Sequence, residues 1–547
     1  MPAALHEQEK INRAKAINYS DVAAIPDVWP LVSRKYGNHL ALHDPHTNPE
    51  TRYSYQEQAD ASQLFAAGLQ ARGVQPKEKI ALFSENRPRW MVADQGIMTA
   101  GAVDAVRGAN ADPAELLYIL ENSDSIGLIV QDISVLSKLT PNIAPLPLRF
   151  IILLTDEAAE LDADLGGARL MNFSDLMALG QQQGKPTPVT LSRDDMATLM
   201  YTSGTSGMPK GVMLSQSNLL SQIAGASSVV SVGTAQKVLS ILPIWHCYER
   251  SFEYFTLSQG CTQIYTNIRS VKDDFKTHSP QYMVAVPRLW ESIYEGVQKN
   301  FRTQPESKQK LVKFFLDKSL EYIRAKRLLA GLDLDQMTPS AGQKLIASLK
   351  LAYLWPLHQL GDRLVYSKVR EAMGGKVDYL VSGGGSIADY LEDFYEIAGI
   401  EILGGYGLTE TSPITHVRRP WHNLRGADGQ ATPGTETLIV DPGTRDPLPT
   451  GTIGLVLVRG PQVMQGYYKN PDATAKAIDA DGWFDTGDLG RVTAMGDLII
   501  TGRAKDTIVL TNGENIEPTT DENACLRSPY VDLIMLVGQD QKRIGAL

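Results

Sequence analysis

Four short apolar runs punctuate the chain: Ile80–Phe83, Gly127–Val130, Phe150–Leu154 and Val238–Leu242. The longer stretches between them carry the mixed polar and apolar pattern of amphipathic helices. Runs of this length, bounded by polar sequence, read as strands buried on both faces. One intervening helix has a marked start, with Asp112 as N-cap, Pro113 in the first turn and Glu115 three residues after the cap. Strands alternating with helices predict an α/β architecture with largely parallel sheets. The stretch from about 430 to 500 differs. Ile453–Arg459 and its turn-rich flanks read as antiparallel strands, a small β-rich subdomain closing a large N-terminal body.

The length, 547 residues, is enough for roughly three to four domain-sized units. With 43 % hydrophobic and 21 % charged residues, the chain is neither disordered, collagenous nor a small cross-linked scaffold. Its three cysteines, Cys247, Cys261 and Cys525, cannot form a disulfide framework and lack zinc spacing. Reduced, mostly buried thiols in a cytoplasmic-type compartment are expected. The polar N-terminus has no apolar core of a secretory signal. No run of about 18 uncharged apolar residues would span a bilayer, which leaves attachment at a membrane surface open.

Charge is unevenly spread. Residues 301–370 hold 13 Lys+Arg and 6 Asp+Glu, a balance of +7, whereas the whole chain carries −10. Val312, Leu316, Leu320 and Ile323 recur at helical spacing there, and a second helical stretch covers about 341–360. Such a basic helical insertion is either a solvated face or a docking surface for something anionic, a membrane or a small acidic protein. No nucleic-acid partner is expected.

The sharpest local signal is Met200-Tyr-Thr-Ser-Gly-Thr-Ser-Gly-Met-Pro-Lys-Gly-Val-Met213. Seven of the ten residues from Thr202 to Gly211 are Gly, Ser or Thr. Gly204 and Gly207 allow close backbone approach to an anion, and successive N–H groups form a concave nest. Thr202, Ser203, Thr205 and Ser206 add hydroxyls, and Lys210 a positive charge. These are the parts needed to hold a triphosphate. The spacing excludes a Walker A loop, because Met208 and Pro209 separate Gly207 from Lys210 and Gly211 follows the lysine.

At this string the sequence resembles the AMP-forming adenylating enzymes: acyl-CoA synthetases, nonribosomal adenylation domains and luciferases. The resemblance runs from about residue 25 to 547. Leu242-Pro-Ile-Trp-His-Cys-Tyr-Glu-Arg250 is similar to the long-chain version of the motif near the acyl pocket. Ser382-Gly-Gly-Gly-Ser386 resembles the loop that packs on adenine, and Gly405-Tyr-Gly-Leu-Thr-Glu-Thr-Ser412 the adenylate-binding signature. Trp483-Phe-Asp-Thr-Gly-Asp-Leu489 resembles the segment with the ribose-binding acid, and Gly502-Arg-Ala-Lys-Asp506 the hinge. Three further segments, Val103–Gly108, Leu424–Gly426 with Pro433–Glu436, and Asn523–Tyr530, resemble the acyl–acyl carrier protein synthetases of cyanobacteria and plastids.

The resemblance implies a body over 1–503, made of two α/β sheet subdomains and the β-rich one and including the 301–370 insertion. A small α+β C-terminal domain follows over 504–547. It implies that ATP activates a long-chain fatty acid to acyl-AMP, and that a thiol of acyl carrier protein, or alternatively of CoA, then takes the acyl group. Lys210 and the 202–207 nest would restrain the β- and γ-phosphates, with Mg²⁺ on Thr202 and Glu410. Tyr406, Gly407, Thr409, Gly383, Gly384, Gly385, Asp488 and Arg503 would fix the nucleoside. His246 would stand near the carboxylate or be a satisfied core histidine. Lys505 matches the hinge position. The family's late C-terminal lysine finds no match before Leu547, so the C-terminal domain reads as incomplete. A non-catalytic acyl-binding protein is the competing class, and the intact Lys210, Glu410, Asp488 and Arg503 argue against it.

Overall fold

The apolar runs become inner strands of two large sheets. In the computed structural model, which describes residues 6–202, 208–511, 515–516, 518–525, 531, 534–539, 541 and 543–547, the first sheet has eight strands. Its parallel part orders Arg169–Asn172, Phe150–Leu153, Ser125–Val130, Lys79–Phe83, Val103–Arg107 and Met196–Thr202. Antiparallel Lys210–Ser215 and the short Gly466–Tyr467 finish its edge. Ile80, Leu82, Leu128, Ile151 and Leu153 are fully buried, as strands covered by helices on both faces must be.

The second sheet has thirteen strands. Leu40–Asp44, Thr262–Tyr265, Lys237–Ser240, Tyr282–Ala285, Tyr379–Ser382 and Glu401–Gly407 run parallel. Beyond Glu401–Gly407 the direction reverses. Ile414–Val417, Gly429–Ala431, Asp497–Arg503, Phe484–Val492, Gly454–Arg459 and Glu436–Val440 follow as an antiparallel ladder. The expected β-rich unit is therefore present, and Ile414–Val417 hydrogen-bonds it to the parallel sheet. The change of direction falls at Tyr406–Gly407, and crevices at the carboxyl ends of parallel strands are where α/β sheets bind ligands.

Two local expectations are corrected. The run Val238–Leu242 is strand only to Ser240, because the Asn86 side chain donates to the Leu242 carbonyl (2.6 Å) and accepts from the Ile244 N–H (2.8 Å). Asp112 caps the helix Pro113–Asn122 by accepting from the Ala114 N–H at 2.8 Å. Glu115 does not return to the cap; it pairs with Arg107 at 2.8 Å.

The basic insertion forms an antiparallel pair of long helices, Glu306–Ala330 and Ala341–Gly361. The second starts with a capping box, its Ser340 side chain accepting from Gln343 N–H while Gln343 returns to the Ser340 N–H. Tyr322 stacks on His358 with centroids 4.5 Å apart, and Ser319 contacts His358 Nδ1 at 2.9 Å. Arg327 ties the pair to the helix Asp389–Ile397 through Asp393 (2.7 Å) and Glu396 (2.6 Å). Cys247 and Cys261 are buried and Cys525 is exposed; none is in a disulfide.

Candidate active site

Thr202 and Lys210, which flank the glycine-rich segment, are paired residues of two adjacent antiparallel strands. Ser203, Gly204, Thr205, Ser206 and Gly207 lie outside the described residues; Thr202 and Lys210, which flank them, are half-buried. The strand leading into the loop is anchored from below. Arg250, fully buried, donates to Thr198 Oγ1 at 2.8 Å and pairs with Asp104 at 2.7 Å and with Asp94. Its guanidinium also lies over Trp90, 5.2 Å from the ring centroid. A buried cation so partnered holds the strand rigidly, since any displacement strands an unpaired charge.

Glu410 and Lys210 meet through a residue that the motifs do not single out. Tyr467 lies on the short strand that joins the hairpin edge, opposite Val212. Its hydroxyl donates to Glu410 Oε1 at 2.8 Å, and Lys210 Nζ lies 4.9 Å from its ring centroid. Burial and the Glu410 charge push the phenol pKa up, so Tyr467 stays a neutral donor. The Glu410 carbonyl accepts from the Met464 N–H at 2.9 Å, which pins the short turn Thr409–Thr411. Only one Glu410 oxygen is engaged by Tyr467. A carboxylate oxygen and a threonine hydroxyl are donors of the kind that suits Mg²⁺, and the other Glu410 oxygen is left for one. No cluster of three or more His, Cys, Asp or Glu that could hold a metal exists among the described residues. A cation here would draw its other oxygens from phosphate and water.

Three of the predicted nucleoside residues, Tyr406, Asp488 and Arg503, form a second group. The Tyr406 hydroxyl donates to Asp488 Oδ2 at 2.5 Å, and Arg503 Nε approaches Asp488 Oδ1 at 3.2 Å. Asp488 and Arg503 are also cross-strand partners. Asp488 is only 4 % exposed, and burial pushes its carboxyl above the ordinary aspartate range despite Tyr406 and Arg503. Each carboxylate oxygen has two lone-pair sites, so capacity remains for two hydroxyl donors. Tyr406 packs its ring 6.2 Å from His416, with its hydroxyl turned to Asp488. Gly407 is required by packing, because a Cβ there would lie 1.8 Å from the Pro413 carbonyl oxygen. A Cβ at Gly383 would lie 3.0 Å from the Tyr248 ring, and Gly384 has φ +77°, where other residues are strained. Gly384 and Gly385 are exposed at the end of the strand Tyr379–Ser382.

His246 precedes the helix Cys247–Ser258 and keeps an exposed edge, yet the protein crowded round its ring and the Arg107 charge hold its pKa below the usual value. Cys247 Sγ contacts Thr409 Oγ1 at 3.6 Å, joining the acyl-pocket motif to the adenylate motif. Burial raises that thiol to about 12, so it is no nucleophile. Trp245 lies under Arg107 (4.7 Å) and against Gly108, so two segments singled out separately in the sequence pack on each other. Lys505 is exposed in the turn after Arg503.

The AMP-binding enzyme family profile matches residues 31–468, and that of the AMP-binding enzyme C-terminal domain residues 505–547. A probable acyl-activating enzyme 16, chloroplastic, of Arabidopsis thaliana is 40 % identical over 99 % of this chain and 78 % of its own. A chloroplastic long-chain-fatty-acid–[acyl-carrier-protein] ligase of the same plant is 38 % identical with the same coverage. A long-chain-fatty-acid–CoA ligase of Mycobacterium bovis is 30 % identical over 90 % of this chain and 76 % of its own. In fold, the chain is similar to ATP-bound MatB from Rhodopseudomonas palustris, with TM-score 0.70, 22 % identity and coverage of 95 % and 87 %.

Proposed function

The chain belongs to the AMP-binding enzyme family, and we propose that it is an ATP-dependent ligase that activates a long-chain fatty acid as acyl-AMP, releasing pyrophosphate, and then passes the acyl group to the phosphopantetheine thiol of acyl carrier protein. The observation that carries the adenylating step is the Lys210–Tyr467–Glu410 cluster at the mouth of the glycine-rich hairpin. A carboxylate is a weak nucleophile and the ATP tail repels it, so the site must supply position and positive charge. Lys210 would bear on the β- and γ-phosphates. Thr202 and Glu410 would hold Mg²⁺, which neutralises phosphate charge when bound. Asp488, oriented by Tyr406, would accept from the ribose hydroxyls, with Arg503 beside it. The glycines 383–385 leave room for a flat base. The acceptor brings its own thiol, which agrees with two buried cysteines, neither of them activated.

We read residues 1–503 as the adenylating body and the residues from 504 as the C-terminal domain beyond the Lys505 hinge. The basic face of 301–370 is the part of the body suited to an anionic partner. The relative named as an acyl carrier protein ligase and the branch-specific segments favour acyl carrier protein; the 30 % identical CoA ligase keeps CoA as the second reading. The deciding experiment offers one preformed long-chain acyl-adenylate to holo-acyl carrier protein and to CoA in parallel. Acylation of the carrier protein at the higher kcat/KM supports the proposal; transfer to CoA alone replaces the acceptor.

A further inference from the structure

Nine of the eighteen large apolar side chains exposed among the described residues lie between Leu311 and Leu364. Most belong to one helix, Ala341–Gly361: Leu345, Ile346, Leu349, Tyr353, Trp355 and Leu360. That helix already buries a face, with Ala347, Leu354 and Gly361 turned inward and His358 against Tyr322. It is therefore apolar on two sides with one side uncovered. An amphipathic surface helix normally shows solvent a polar face. At about 100° per residue, positions 345, 346, 349, 353 and 360 fall in an arc of about 100° and extend about 22 Å along the axis. Such a patch is a contact surface rather than scattered exposure.

The side chains protrude. Leu345, Leu349 and Tyr353 are 62 %, 65 % and 76 % exposed, which side chains lining a groove are not. Exposed cations flank them: Lys344 and Lys350 on the same helix, Lys308, Lys310 and Lys313 on its neighbour. The pairs Lys310–Glu306 and Lys313–Asp317 are fully in water and hold these lysines only weakly. No helix of the described residues is long and apolar enough to cross a bilayer. Protruding aliphatic chains, a Trp and a Tyr, and a rim of lysines are the features of a helix that lies in the plane of an anionic lipid interface. A second copy of this face would set like charges against each other. An acidic protein would need a hollow for its anchors or a knob for theirs, not a row of protruding chains about 22 Å long.

We propose that the helix Ala341–Gly361 docks the protein on an anionic membrane leaflet, its row of Leu345, Leu349, Tyr353 and Leu360 entering the acyl region while Lys344 and Lys350 meet the headgroups. The proposal deepens the reading of the substrate as a long-chain acid and rests on it for its purpose: such an acid partitions into bilayers, and a docked enzyme collects it there.

The test uses the full chain with vesicles of phosphatidylcholine alone or mixed equally with phosphatidylglycerol. The chain sediments with the mixed vesicles, less so at high salt, and not with phosphatidylcholine alone. Leu349→Gln with Tyr353→Ser, both exposed and so harmless to folding, lowers binding about tenfold or more while leaving pyrophosphate exchange with a short soluble fatty acid unchanged. A chain that stays in the supernatant, or a variant that binds vesicles like the parent, overturns the proposal. So does a variant whose only losses are in binding holo-acyl carrier protein or in self-association. Vesicle binding with no exchange in either protein supports the docking and sinks the ligase reading instead.

Discussion

Tyr467 touches both charged ends of the proposed phosphate site: its hydroxyl bonds Glu410 at 2.8 Å and its ring carries the Lys210 ammonium 4.9 Å from its centroid. The carboxylate and the cation thus share one rigid aromatic partner, itself fixed by strand pairing. Tyr467→Phe keeps the ring and removes the hydrogen bond. A bond to a charged group is worth roughly 1.5–3 kcal/mol, so adenylation should fall about tenfold or more and need more Mg²⁺. Pyrophosphate exchange titrated with Mg²⁺ reads both. Tyr467→Leu, which also loses the cation–π contact, should be worse.

Asp488→Asn tests the nucleoside group. Burial raises the Asp488 carboxyl pKa, so the folded chain holds its proton to higher pH than the unfolded one does. Stability therefore falls as pH rises through that interval, and ionised Asp488 is a burden on the fold at neutral pH. The asparagine variant should lose ATP affinity without a lower Tm at pH 7. In the parent, ATP affinity should decline on acidification at a pH above the ordinary aspartate range. Calorimetry and equilibrium binding measure the two arms.

Gly407→Ala should damage the fold as well as the site, since its Cβ meets the Pro413 carbonyl at 1.8 Å. Gly385→Ala meets only Pro287, at 3.8 Å, and should leave Tm unchanged. Thermal unfolding of the two variants gives the contrast.

Glu253 lies one helical turn from Glu249, both fully buried. Ser240 and Tyr265 donate to Glu253, yet burial still raises its pKa from 4.5 to about 8. The unfolded chain releases this proton earlier, so stability drops as pH climbs through that window. Glu253→Gln should flatten the loss and raise Tm at pH 8 by on the order of a few °C. Tm against pH for the two proteins decides it.

Much of this was legible in the sequence where chemistry is local. Thr202 and Lys210 stand in a string whose composition alone demands a reason, Glu410, Asp488 and Arg503 in segments that the family resemblance singles out, and the four apolar runs become strands. Tyr467 was not legible, because a Gly-Tyr pair in a turn-rich stretch gives no sign that it will pair with Val212 far up the chain. Nor was the Arg250 anchor, whose partners Asp94, Asp104 and Thr198 come from three other elements. The sequence reading of Tyr406 as a residue that fixes the nucleoside gave no hint of its hydroxyl bond to Asp488. That the β-rich unit continues the parallel sheet was not legible either, since no composition marks hydrogen bonding across Ile414–Val417. The uncovered side of the helix Ala341–Gly361 is a property of what packs where, which periodicity does not encode.

The central claim is that the hairpin bounded by Thr202 and Lys210 grips the polyphosphate of ATP while a long-chain acid is adenylated. Fatty-acid-dependent exchange of labelled pyrophosphate into ATP, measured for the parent and for Lys210→Ala, tests it most directly. Exchange should require the acid and fall about 10²- to 10³-fold in the variant, with transfer from preformed acyl-adenylate largely kept. Exchange that proceeds undiminished in Lys210→Ala, or a parent that binds ATP and never exchanges, would contradict the account.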